Sequence, residues 1–189
     1  MVENPGLISQ DDAPAGYMDA ETWELVQNLV PIPCADVVLT RLDEEGRRQV
    51  GLILRTDSPW GAVWCQIGGR QRLGESLREA AERHLRESVT GPGGRALAAD
   101  DYDLPEQPAA LFEFFKEPRP GHGIDPRKQA TSGVYVVEAC EAGFEATGGE
   151  ATEFRWFDAE QLPADDDLWR GTRELVGRAL ANLIERATP

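Results

Sequence analysis

The chain has 189 residues, 41% of them hydrophobic, which suits one domain with a sizeable core. Its 34 acidic and 19 basic residues leave a net charge of −15, and a surface of that sign repels nucleic-acid backbones and anionic membranes. No run of about 18 apolar residues is present to span a bilayer, and Met1–Gly16 lacks the basic start and apolar stretch of a signal peptide, so a cytoplasmic location is expected.

Residues 1–17, polar with Pro and Gly, read as a flexible tail, and 18–189 as a single domain. Asp19 can cap a helix through Val30, with Trp23, Val26, Leu29 and Val30 on one side and Pro31 stopping it. Ala35–Leu42 and Val50–Arg55 read as strands joined by the Asp43–Gly46 turn, and Val63–Ile67 as a short strand running into Gly68-Gly69. Ser76 and Glu79 have capping-box spacing, and Leu77, Ala80, Ala81, Leu85 and Val89 form an apolar stripe at helical period, ended by Thr90–Gly94. Ala109–Phe115 and Val134–Cys140 look like strands, separated by a Pro- and Gly-rich mobile loop over 117–132. Phe154–Phe157 reads as a last strand, and Asp166–Arg186 as a last helix with Leu168, Leu175, Val176, Ala179, Leu180, Leu183 and Ile184 facing inward. This order of helices and strands suggests a mixed sheet between helices. Cys34, Cys65 and Cys140 are odd in number, far apart and set among apolar residues, which predicts buried free thiols rather than disulfides or a zinc site.

The stretch with chemical content starts at Gly68-Gly69-Arg70 and continues through Glu75 into the capped helix. Gly69, Glu75 and Arg83 have the spacing glycine, five residues, glutamate, seven residues, arginine. In context, after a strand and at the opening of a helix, this resembles the Nudix box, G-x5-E-x7-R-E-U-x-E-E-x-G-U, where U is a bulky aliphatic residue. The resemblance implies an α/β/α sandwich with a mixed curved sheet and hydrolysis of a diphosphate-linked small molecule. In such a box, helix carboxylates gather a hard cation, Mg2+ or Mn2+, and the cation grips phosphate oxygens and acidifies a bound water. On this pattern Gly68 would offer a carbonyl to the metal, while Glu75 and Arg83 would tie loop to helix beside Gly69.

The chain departs from the pattern where the metal ligands belong. Arg83-His84-Leu85-Arg86-Glu87-Ser88 replaces R-E-U-x-E-E, so His84 and Ser88 stand where glutamates are expected and Glu87 alone remains. His84 and Glu87 share a helix face at i and i+3 and could form a partial site; a boundary histidine with no ligand role is the competing reading.

Pro33–Arg70 is similar to the GDP-mannose mannosyl hydrolase branch of that superfamily, in Asp36 entering the first strand, Arg55 closing the second, the Thr56–Pro59 turn, Trp64 and Gly68-Gly69-Arg70. That branch also has a reduced box, but it keeps the later paired glutamate. The resemblance implies that Asp36 orients the substrate, that Arg55 and Arg70 hold phosphate, and that Arg55 eases departure of a nucleoside diphosphate. A structural pairing of Asp36 with Arg55 is the alternative. Glu150 matches the loop acid that ligates metal in the family, or is a solvated acid in an acidic chain; Ala151 stands where the branch has a catalytic histidine. The site residues expected from this reading are Glu87 and Arg55 for catalysis and Asp36, Arg55 and Arg70 for the substrate. Gly68, Glu87, Glu150 and His84 would serve the metal. The branch's dimers imply a homodimer, and loss of box acids leaves a non-catalytic Nudix-fold nucleotide-binding or interaction module as the alternative function.

Overall fold

The computed structural model describes residues 18–140 and 143–187, the side chains of 184–187 excepted; the expected tail at 1–17 and the inward placement of Ile184 fall outside them. Helix α1 (Ala20–Leu29) starts at the expected cap, the Asp19 carboxylate accepting from the Thr22 N–H at 2.8 Å. Trp23 and Val26 pack against the core, whereas Leu29 and Val30 are exposed. Val30 has already turned into extended backbone, which cuts the stripe short.

Strands β1 (Ile32–Leu42) and β2 (Arg48–Ser58) form the expected hairpin. The Asp43 side chain accepts from the Glu45 and Arg47 N–H groups, and Gly46 takes the positive φ that closes the turn. The single strand expected at Val63–Ile67 is split. β3 (Gly61–Cys65) pairs with β2; past Gln66 the chain changes partner, and β4 (Ile67–Arg70) pairs with β1. Helix α2 (Leu77–Ser88) carries both halves of the capping box and buries Ala80, Ala81 and Leu85 completely.

The remaining strands and α-helix are β5 (Val89–Thr90), β6 (Tyr102–Asp103), β7 (Ala110–Phe115), β8 (Gly123–Ile124), β9 (Ala130–Ala139), β10 (Glu145–Ala146), β11 (Glu153–Asp158) and α3 (Thr172–Ala187), with short 3-10 turns at Pro92–Gly94, Ala99–Asp101 and Asp165–Asp167. The main sheet runs β11-β2-β1-β9-β7-β8, with β3, β4 and β6 branching from β2, β1 and β9; β5 and β10 form a separate pair. β1 and β9 are parallel over Ile32↔Ala130 to Thr40↔Glu138, between antiparallel neighbours, so the sheet is mixed. α3 begins later than expected because Gly171 sits at φ +104, where a Cβ would collide with the Gly123 backbone. Leu168 nonetheless remains buried in the turn before it.

Alternation along the strands sorts the two faces. Gly133 on β9 and its neighbour Ala35 on β1 lie on the face that α2 covers, since a Cβ on Gly133 would meet Leu77. Asp36 points the other way, toward α3, to which Gln66 and Thr172 connect it. The layers are thus helix, sheet, helix, as expected.

The 117–132 segment, expected as a mobile loop, is tied down between Gly123 and Gln129. β8 pairs with β7, the Asp125 N–H donates to the Phe115 carbonyl, the Ile124 N–H to that of Arg170, and the Ile32 N–H to that of Gln129. Cys34 and Cys65 are buried, but Cys140 is exposed: β9 ends at Ala139, so Cys140 lies past the covered strand.

Candidate functional site

The loop from β4 into α2 is held by one ion pair. Arg83 Nε and Nη2 donate to the two Glu75 oxygens at 2.6 and 2.8 Å, and Nη2 also reaches the Arg70 carbonyl at 3.0 Å. Glu75 accepts in addition from the Arg72 N–H. Arg83 beside it holds the Glu75 carboxyl well below its ordinary value, at about 2. Gly69 is required because its Cα faces the His84 ring, where a Cβ would clash. His84 Nε2 lies 3.0 Å from the Arg70 carbonyl oxygen. Only an N–H makes that contact favourable, so Nε2 carries the proton and Nδ1 is left to accept from Arg83 Nη1 at 3.4 Å. Burial pulls the imidazole below its ordinary pKa, which keeps it neutral.

A cleft with a cavity volume of about 70 Å³ opens on the α3 face of the sheet. Cys34 and Asp36 of β1, Arg55 of β2, Cys65 of β3, Gln66, Gly68 and Gly69 form one side, and Phe114, Asp125, Arg127, Lys128, Ala130 and Trp169 the other. Gly68 stands opposite Asp36 in the β1–β4 register, and a Cβ there would strike the Asp36 carboxylate. Gln66 Nε2 donates to Asp36 Oδ1 at 3.2 Å, and Gln66 Oε1 accepts from Thr172 Oγ1 at 2.8 Å, so a buried polar chain fixes the cleft floor to the start of α3. Burial pushes the Asp36 carboxyl up, against the opposing influence of Ser132, Gln66 and the Lys128 charge. Burial likewise pushes both cleft thiols, Cys34 and Cys65, up to about 12, which makes them poor nucleophiles.

The cations of the cleft come from separate parts of the chain. Arg55 pairs with Asp57 at 3.1 Å and with Glu150 at 3.0 Å. Asp125 is buried and accepts from Arg127 Nε and Nη2, each at 2.9 Å, and from Lys128 Nζ at 2.8 Å. Burial alone would raise Asp125, but those two cations overcome it and hold the carboxyl at about 2. Trp169 lies between the two groups, its ring 5.0 Å from the Arg127 guanidinium and 5.7 Å from that of Arg55. Trp60 packs edge-on against Trp169 at 5.0 Å.

Asp36, Arg55 and Gly68 therefore line one cleft, and Glu150 reaches it through Arg55. Asp36 is not paired with Arg55; its hydrogen-bond partner is Gln66. Arg70 lies elsewhere, its guanidinium 4.6 Å from the Trp23 ring on α1. Glu87 lies half exposed on α2, bound by Arg72 at 3.3 Å and Arg83 at 3.1 Å. Reasoning from the sequence missed Gln66, Asp125, Arg127, Lys128 and Trp169. The signal was present in part: Asp125-Pro126-Arg127-Lys128 concentrates charge inside an otherwise Pro/Gly-punctuated stretch.

The donors expected to hold Mg2+ or Mn2+ do not fit a metal centre as arranged. Glu87 is neutralised by two arginines, Glu150 by Arg55, and both His84 nitrogens face protein groups. Among the described residues no three His, Cys, Asp or Glu side chains gather to hold an ion.

The strand–loop–helix closed by Glu75 and Arg83, on a mixed curled sheet between helices, is the Nudix fold, and solved Nudix structures superpose on it. One, from Jonesia denitrificans DSM 20603, described as a possible asymmetric diadenosine tetraphosphate hydrolase, is 26% identical over 82% of this chain and 95% of its own, with a TM-score of 0.66. The Nudix hydrolase RenU from M. smegmatis is 20% identical over 84% of this chain and 88% of its own, at a TM-score of 0.58. The NUDIX domain of NrtR from Shewanella oneidensis, solved with ADP ribose, is 18% identical over 82% of this chain and 89% of its own, at 0.59. Residues 13–184 match one family model, and the chain belongs to that family, described as Domain of unknown function (DUF4916). No curated protein matches the chain.

Proposed function

We propose that residues 18–189 act as a single Nudix-type domain that hydrolyses a nucleoside-diphosphate-linked small molecule, a nucleotide sugar foremost, in the cleft between Asp36 and Trp169. The observation that carries this reading is the convergence of Arg55, Arg127 and Lys128 with Asp36 on one cleft of a chain whose net charge is −15. Arg127 and Lys128 share the single Asp125 carboxylate, so their segment keeps a positive charge on the cleft of an acidic chain, and a positive concavity attracts an anion. The resemblance to the mannosyl hydrolase branch supports the same assignment, since its Asp36 and Arg55 are the two family positions that meet there.

In this reading the diphosphate lies against the cations, which offset charge growing on a departing nucleoside diphosphate. Trp169 offers an apolar wall beside them, and Asp36, held by Gln66, accepts a hydroxyl of the substrate. A divalent ion enters no step of this scheme. The test is a panel of nucleoside diphosphate sugars and nucleotides, assayed with Mg2+, with Mn2+ and with chelator. Turnover that falls at least tenfold in Arg55→Gln is expected; a well-folded sample that turns over none of them sinks the hydrolase.

The second reading is a non-catalytic nucleotide-binding or interaction module, favoured by the clamping of Glu87 between Arg72 and Arg83. Ligand-induced thermal stabilisation without metal, unchanged in Glu87→Gln and unaccompanied by turnover, selects it.

A further inference from the structure

We propose that Arg127 and Lys128 are the diphosphate-binding pair of this chain, facing Arg55 across the cleft, so that the anion is held by the 125–128 segment on the α3 face of the sheet rather than by the box helix. The proposal rests on the reading of the cleft as the ligand site, and it names residues that the box resemblance does not reach.

The placement of the box helix is the first support. Among the described residues that line the cleft, none belongs to α2, which covers the opposite face. Arg70, the phosphate ligand expected from the resemblance, stacks on Trp23 instead. The second support is how the pair is built. Arg127 and Lys128 are adjacent in sequence, both on the cleft, and both anchored to one buried carboxylate, Asp125. One acid against two cations leaves a net positive charge on the segment. Asp125 engages Arg127 at Nε and Nη2, which leaves the Nη1 donors for an incoming oxygen, and takes one of the three Lys128 Nζ hydrogens.

The third support is rigidity. The segment is pinned by the Asp125 N–H on Phe115, the Lys128 N–H on Asp125 and the Ile32 N–H on Gln129, while Arg127 lies over Trp169. Cations held in place lose little conformational freedom when an anion arrives, which is the condition for a strong site rather than a solvated charge. A guanidinium and an ammonium side by side suit two linked phosphoryl groups: the fork takes two oxygens and the point charge takes a third.

The experiment is calorimetric titration of the full chain with inorganic pyrophosphate and with ADP in metal-free buffer, comparing wild type with Arg127→Gln, Lys128→Gln, Lys128→Arg and Glu87→Gln. Circular dichroism and melting confirm that each variant is folded. Each Gln variant is expected to weaken pyrophosphate by about tenfold or more, as loss of a charge-assisted contact does, with Lys128→Arg within about threefold of wild type and Glu87→Gln within about twofold. Pyrophosphate affinity equal in wild type and both Gln variants overturns the assignment, as does loss of binding in Glu87→Gln alone. The two proposals fail separately. Pyrophosphate binding that depends on Arg127 and Lys128, without turnover of any nucleotide sugar, keeps this site and sinks the hydrolase. Nucleotide-sugar turnover undiminished in both Gln variants does the reverse.

Discussion

Asp36 and Glu75 are both carboxylates near the same loop, and their surroundings drive them in opposite directions. Asp36 is buried with an amide for a partner, so ionising it costs more in the folded chain than in the unfolded one. Because its folded pKa is raised above 3.8, it lowers stability progressively as pH rises past the unfolded value, and the cost is in full force above the raised one. Asp36→Asn keeps an acceptor for Gln66 and removes the charge. It is expected to stabilise the protein at pH 7 by on the order of 1 kcal/mol, read as a higher Tm, while substrate turnover falls. A lower Tm in this variant would show that the charge is well solvated. Glu75 behaves as the mirror image. Its pKa is depressed from 4.5 to about 2 by Arg83, so its contribution is complete above pH 4.5 and disappears as pH falls toward 2. Urea titrations at pH 7, 4 and 3 should show Glu75→Gln destabilised at pH 7, with its gap from wild type narrowing at each step down.

At the level of elements, the sequence speaks most clearly where one segment carries its own instructions. The capping box of α2, its apolar stripe and the Asp43 turn are local, and they lie where the residues placed them. The boundaries that differ are set by distant partners. β3 and β4 separate at Gln66 because two different strands, β2 and β1, compete for the chain. α3 loses its first expected turn because Gly171 must pass close to Gly123, far back in the sequence. Gly171→Ala tests that account. An alanine at positive φ costs about 1–2 kcal/mol before any clash, and here its Cβ also meets the Gly123 backbone. The expected loss exceeds about 2 kcal/mol in denaturant unfolding, and it should weaken cleft ligands too, because the turn carries Trp169. Gly46→Ala, at a positive φ with open space around it, isolates the backbone share and should cost only that first 1–2 kcal/mol.

For the whole molecule, the fold was legible because Gly69, Glu75 and Arg83 join a strand to a helix through one ion pair, and that pair is local in space as well as in sequence. The cleft was only half legible. Asp36, Arg55 and Gly68 lie on strands whose family resemblance marks them, whereas Arg127, Lys128 and Trp169 come to the site through the β7–β8 pairing and the Gly123–Gly171 approach, which no local pattern encodes. Chain association is the remaining property at this scale, and it turns on α1. Trp23 and Val26 anchor the helix on its own domain, which leaves Leu25 and Leu29, one helical turn apart, 59% and 70% exposed, with Val30 at 52% beyond them. Single exposed leucines are ordinary, but an i, i+4 pair continued by a valine forms a stripe that a second copy can cover by the same stripe across a two-fold axis. The homodimer implied by the mannosyl hydrolase resemblance is therefore expected to form through α1. Light scattering at micromolar concentration should give twice the chain mass for the wild type and the single mass for Leu25→Glu/Leu29→Glu, with the melting temperature of the wild type rising with protein concentration and that of the variant independent of it, since dimer stability follows mass action. A wild type that scatters as a monomer would leave the stripe as ordinary exposed surface and remove the dimer.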